Sequence, residues 1–216
     1  MDSSNELKKL KYSFILPFLF VLILWGIKIV ELSEGVELYT LGVFPRSYNG
    51  LVGVLLSPLI HSDLNHLISN SIPLLILGTG IIYFYRELAY KVIIIIWLAS
   101  GIGVWLIARD SYHIGASGLI YGIASFLFLS GFVRKDYRLA AISLLVIFFY
   151  GGLVWGVFPF FPRISWEYHL LGGLSGFFAA IIYRNKGPKP IEWSWENEED
   201  DSNEDNPDEL TNNMSE

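Results

Sequence analysis

Tyr90-Lys-Val-Ile-Ile-Ile-Ile-Trp-Leu-Ala-Ser-Gly-Ile-Gly-Val-Trp-Leu-Ile-Ala108 holds one charge, Lys91, at its start. As a helix it is about as long as a hydrocarbon core is thick, roughly 30 Å or about 20 residues. Lipid offers the backbone no hydrogen-bond partners, so a single stretch of this kind crosses a membrane as a helix. Working outward, comparable runs give six predicted spans, at about 13–30, 64–84, 90–108, 115–133, 138–157 and 167–184. The whole chain agrees: 53% of its residues are hydrophobic and 17% charged, against about a quarter charged in soluble domains. The expected fold is therefore an all-α membrane protein, a bundle of six transmembrane helices. The first run is too long for the core of a signal peptide and lacks a small-residue cleavage site, so it reads as a retained helix.

Residues 31–63, between the first two spans, begin with Glu31, Glu34 and Glu37 and turn apolar from Leu51 to Ile60. They are expected to form a loop lying partly in the membrane interface. Orientation follows from the basic residues. With the N-terminus in the cytoplasm, eleven Lys and Arg fall inside, and Arg46, Arg109, Arg163 and Lys28 fall outside or at the outer end of the first span. That is a positive-inside pattern. It places both termini in the cytoplasm of a multi-pass protein, expected in a bacterial cytoplasmic membrane.

The chain divides into a cytoplasmic segment 1–12, a core 13–184 and a tail 185–216. Eleven of the 21 acidic residues lie between Glu192 and Glu216, where there is no Lys or Arg. A polar run of one sign cannot bury enough apolar surface to order itself, so a disordered cytoplasmic tail is expected. The absence of cysteine excludes disulfides, thiolate metal sites and cysteine nucleophiles. No internal repeat suggests a transporter of inverted halves. No metal, cofactor or nucleic-acid partner is expected.

Polar groups inside a bilayer are costly, and each asks for a reason. All four histidines, His61, His66, His113 and His169, map to the outer side. In the sixth span, His169, Gly172 and Gly176 stand at i, i+3 and i+7, on one helical face. Such a stripe is either a simple packing seam or a seam that brings a second helix against His169. The fourth span supplies that helix in Gly115-Ala-Ser117-Gly118-Leu-Ile-Tyr121-Gly122. Its serine sits at the same side of the membrane, its glycines leave N–H groups unshielded for an oxyanion hole, and Tyr121 is one turn below. In the second span His66 and Asn70, at i and i+4, share a face. They are either oxyanion donors or interhelical hydrogen bonders. Asp63 and Asp110 read as a helix cap and a loop residue. With no acid placed to orient His169, the pattern is a Ser-His dyad. His113, four residues before Ser117, is either a substrate contact or a loop residue, and the loop reading is favoured.

Together these motifs resemble the rhomboid family of intramembrane serine proteases. The family's two histidines and asparagine match His61, His66 and Asn70. Its G-x-S-G with a following tyrosine matches Gly115, Ser117, Gly118 and Tyr121, and its H-x-x-G-x-x-x-G matches His169, Gly172 and Gly176. The resemblance covers about 13–184. It implies that Ser117 attacks the peptide carbonyl and His169 takes its proton. It implies also that His66, Asn70 and the Ser117 amide line the oxyanion hole, and that His61 holds loop and helix ends together. Substrates would be transmembrane proteins in the lipid bilayer, cut near the outer face. The Trp-Arg pair common in the family's first loop is absent, with Pro45-Arg46 the nearest feature. Tyr168 stands where a small residue commonly precedes the histidine, and Pro73 is expected to loosen the second span. The competing readings are a catalytically inactive rhomboid-like protein that binds membrane clients, and a small channel or transporter.

Overall fold

The computed structural model describes residues 3–133, 140–141, 144–145, 148, 155–160 and 164–187. It is helical throughout, with α1 (Ser3–Glu34), the short α2 (Gly53–Leu56), α3 (Leu64–Phe84), α4 (Ala89–Ile107), α5 (Ser117–Val133) and α6 (Trp166–Ile182). Among the described residues no strand forms, and one isolated antiparallel bridge joins Val43 to His113. Five of the six predicted spans coincide with long helices. Most of the fifth, 138–157, lies outside the described residues, and its described positions 140–141, 144–145, 148 and Trp155 are helical. The acidic tail also lies outside them.

Helices α1, α3 and α4 are each long and apolar enough to cross a membrane, and α5 is a shorter apolar helix. This is an integral membrane protein. Its helices expose rows of Leu, Ile and Phe, such as Leu19, Leu22, Ile23 and Ile94, which in lipid carry no cost. Helix α5 is the centre. It packs most extensively on α6 and also touches α3 and α4, with Leu119, Ile120, Ile123 and Leu127 buried.

Helix starts and stops follow from local chemistry. Asp63 Oδ1 accepts from the His66 amide at 2.9 Å, so α3 begins at residue 64 as a capped helix. Helix α5 begins two residues later than the sequence suggests, because Gly115 has φ +107°, a left-handed conformation outside the helical range. Pro73 does not interrupt α3, nor does Pro17 interrupt α1, as lipid-embedded helices commonly tolerate proline.

Residues 35–63 form a folded loop of short helical turns against α4. Indole N–H groups of α4 fix it: Trp97 donates to the Val54 carbonyl at 3.1 Å, and Trp105 to that of Ser47 at 2.8 Å. Arg46, with φ +56°, donates from Nη1 to the Ala108 carbonyl at 2.8 Å and pairs with Asp110. The chain alternates direction, so α1 and α4 end, and α3, α5 and α6 begin, at this same end of the bundle. All four histidines lie there.

Candidate active site

Helices α5 and α6 meet along glycine. A Cβ added to Gly172 would stand 2.1 Å from the Gly118 carbonyl oxygen, and one on Gly176 would stand 1.9 Å from that of Gly122. Backbone therefore touches backbone, which only glycine permits. At the head of this seam His169 Nε2 lies 2.8 Å from Ser117 Oγ. Both residues are buried, at 9% and 6% exposure.

The proton on His169 can be placed. Its Nδ1 is 2.9 Å from the Gly156 carbonyl oxygen, and a carbonyl only accepts, so Nδ1 carries the hydrogen. Nε2 then presents a lone pair and Ser117 donates to it. Tyr121 stacks on the imidazole with ring centroids 4.3 Å apart and planes 10° from parallel. The ring is thus held by a backbone carbonyl at one edge and an aromatic face. Among the described residues no carboxylate bonds it.

Across from the pair stand His66 and Asn70. A Cβ on Gly115 would fall 2.7 Å from His66 Nε2 and 3.8 Å from Asn70 Nδ2, so both side chains face the backbone just before Ser117. Gly115 is required here twice, by its positive φ and by the His66 ring. Asn70 donates one Nδ2 hydrogen to the His66 carbonyl at 3.0 Å. Ser117 opens α5, where the first N–H groups have no intrahelical acceptor and the helix dipole favours negative charge. The corner collects donors around the serine.

His61 is buried behind this corner. Its Nε2 accepts from the Ala116 amide at 3.4 Å, and its ring packs edge-on against His66 at 5.0 Å. Burial, then the neighbouring His66, pushes its pKa down to about 3. Asp63 is held below the usual carboxylate range by the His66 amide and then the Ser62 hydroxyl.

His113 is no simple loop residue. Its amide donates to the Val43 carbonyl at 2.8 Å and its carbonyl accepts from Val43 N at 3.0 Å. Nε2 donates to the Arg109 carbonyl at 3.1 Å, and Nδ1 meets Ser165 Oγ. It is 1% exposed, and burial lowers its pKa. It clasps the loop to the ends of α4 and α6. Tyr168 is likewise accounted for: its ring lies over Gly118 and its hydroxyl is 2.7 Å from Ser57 Oγ, while the Ser57 carbonyl accepts from Gly115 N at 2.8 Å.

The structure thus brings Ser117 and His169 together at the head of the α5–α6 seam, with His66 and Asn70 across from them. A family model described as the Rhomboid domain matches residues 48–186. The chain belongs to the rhomboid family. Similar proteins include uncharacterized proteins of Mycobacterium bovis and Mycobacterium tuberculosis strain H37Rv. Each is 38% identical, over 76% of this chain and 72% of the relative. An uncharacterized protein of Mycobacterium leprae is 33% identical, over 76% of this chain and 68% of its own. No activity is given in their names. Gly156, Ser57 and Lys28 are the site-end residues that sequence reasoning missed. Two act through main-chain carbonyls, which any residue type carries. Only Lys28, a charge in an apolar run, left a visible signal.

Proposed function

We propose that this rhomboid-family protein is an intramembrane serine endopeptidase, acting on transmembrane protein substrates through a Ser117–His169 dyad. One observation carries the reading: the 2.8 Å approach of Ser117 Oγ to an imidazole nitrogen whose partner nitrogen is committed to Gly156. As Ser117 Oγ attacks the peptide carbonyl, its proton passes to His169 Nε2. The carbonyl oxygen becomes an oxyanion facing Asn70 Nδ2 and the Ser117 amide, beside the His66 ring. His169 then gives that proton to the leaving amine as the C–N bond breaks. Water hydrolyses the acyl-enzyme with His169 again as base, and Ser117 is regenerated. The Gly156 carbonyl does in part what an aspartate does elsewhere, fixing tautomer and ring orientation without a buried charge.

The core 13–184 carries this chemistry, with segment 1–12 and tail 185–216 in the cytoplasm of a bacterial inner membrane and the dyad near the outer face. The basic-residue pattern supports that orientation. The inactive client-binding alternative is separated by one experiment: the purified protein in detergent with a membrane-segment reporter. Ser117→Ala and His169→Ala are expected to abolish cleavage. Asn70→Ala removes one donor and is expected to cost on the order of 100-fold, less than loss of the serine. Cleavage that survives Ser117→Ala would sink the proposal.

A further inference from the structure

Lys28 is the anomaly of α1. It lies in the apolar stretch of a membrane helix, yet is only 5% exposed. A buried ammonium persists only when its hydrogens are all taken up. Here they are: Nζ donates to Glu31 Oε2 at 2.8 Å and to the His61 and Ser62 carbonyls at 3.0 Å each. The other carboxylate oxygen of Glu31 accepts from the Leu38 amide at 3.1 Å. One ion pair on α1 thus fastens both ends of the loop, its start at Leu38 and its end at residues 61–62.

What that loop end holds is the candidate site. His61 Nε2 accepts from the amide of Ala116, the residue before Ser117. Ser62 Oγ donates to Asp63 Oδ2 at 2.7 Å and so accepts from His66 Nδ1 at 3.2 Å. The opposite edge of the His66 ring stands against Gly115. From Lys28, Ala116 is reached through His61 and the His66 ring through Ser62, a single intervening residue in each case.

We propose that Lys28 and Glu31 are positioning residues, a charged clamp on the first helix that sets the oxyanion side of the site by holding the carbonyls of His61 and Ser62. The inference rests on the protease reading for its catalytic consequence but not for the clamp itself. Residues 48–186 match the family model, so both clamp residues lie outside the matched part.

The test uses the full chain, purified, with Lys28→Met, Lys28→Arg and Glu31→Gln. Hydrogen exchange in segment 57–66 reads the holding, and kcat and KM on a membrane-segment reporter read the positioning. Lys28→Met is expected to raise exchange in that segment at least tenfold over the change in the α5–α6 seam. It is also expected to lower kcat at least tenfold per folded molecule, with KM within twofold. Lys28→Arg, which can still reach carbonyls and carboxylate, should return kcat to within threefold of wild type. Glu31→Gln should fall between and decides the matter if Lys28→Met does not fold. Unchanged exchange and kcat, or an equal loss in Lys28→Arg, would overturn the clamp. Raised exchange in a protein whose wild type shows no Ser117-dependent cleavage would uphold the clamp and remove the protease reading instead.

Discussion

The two sides of Ser117 are built on opposite principles. On the His169 side, α5 and α6 touch through glycines, with carbonyl oxygens where side chains would otherwise stand. On the His66 side, a folded loop is hung from α1 and α4 by a buried ammonium, two indoles and main-chain carbonyls. The first side is defined by the absence of atoms and resists any addition. The second is defined by donors and acceptors and is sensitive to any removal. A proton transfer needs its two partners fixed at one distance, which close backbone contact enforces. An oxyanion corner needs several donors aimed together, which a network arranges.

Adding atoms to the seam should break that contrast most severely. Gly176→Val would put a Cβ 1.9 Å from the Gly122 oxygen, backbone against backbone with no flexible side chain to yield. Overpacking of this kind costs about 1–3 kcal/mol. Moving α6 away by even about 1 Å takes His169 beyond hydrogen-bond reach of Ser117, a misplacement worth about 100-fold in rate. Cleavage in the reporter assay is expected to fall at least that far. Gly173, whose would-be Cβ has no atom of the described residues within 4 Å, supplies the control, and Gly173→Ala should retain activity. Equal losses at 173 and 176 would mean that helix propensity, not contact, governs the seam.

The same contrast separates what could be read from the sequence. Spans were legible because apolar length is a property of residue types, and α3 runs over the predicted 64–84 with its Asp63 cap. The seam was legible because His169, Gly172 and Gly176 at i, i+3 and i+7 mark one face. The loop was not, since its bonds run to carbonyls of Val54, Ser47, His61 and Ser62, which no side chain announces. From sequence alone Lys28 reads as a topological charge. Its ion pair with Glu31, three residues on, is the sequence-visible sign that it belongs to a buried network instead. His113 was placed correctly in a loop, but its burial depends on a partner, Val43, 70 positions earlier.

A smaller effect comes from acid. His61 and His113 both have pKa values lowered by burial, so the folded protein holds them neutral while the unfolded chain protonates near pH 6.5. Above that value neither state takes the proton and stability is at its plateau. Below it the unfolded state gains protons that the fold refuses, and stability falls until the folded pKa is reached. Each such histidine loses up to about 1.4 kcal/mol per pH unit. Thermal unfolding in detergent should therefore occur at lower temperature at pH 5.5 than at pH 7.5. His113→Gln, which keeps a donor and an acceptor at the clasp, should flatten the slope. An unchanged slope would mean that other groups carry it.

The smallest effect should come from the charges nearest water. Arg46 and Asp110 join the loop to the end of α4, but their side chains are 50% and 74% exposed, where an ion pair contributes between about 0 and 1 kcal/mol. Arg46 also keeps its bonds to the Ala108 and Trp105 carbonyls without the aspartate. Asp110→Asn should therefore shift unfolding slightly and leave kcat within twofold. Lys28→Met removes a charge on α1 that holds the same loop and is expected to do far more, because the ammonium and its bond to the His61 carbonyl are buried. Were Asp110→Asn to reduce turnover as much as Lys28→Met, the loop would respond to its overall charge. The distinction between a buried clamp and an exposed clasp would then fail, and with it the idea that burial of the donor is what sets the His66 side of the site.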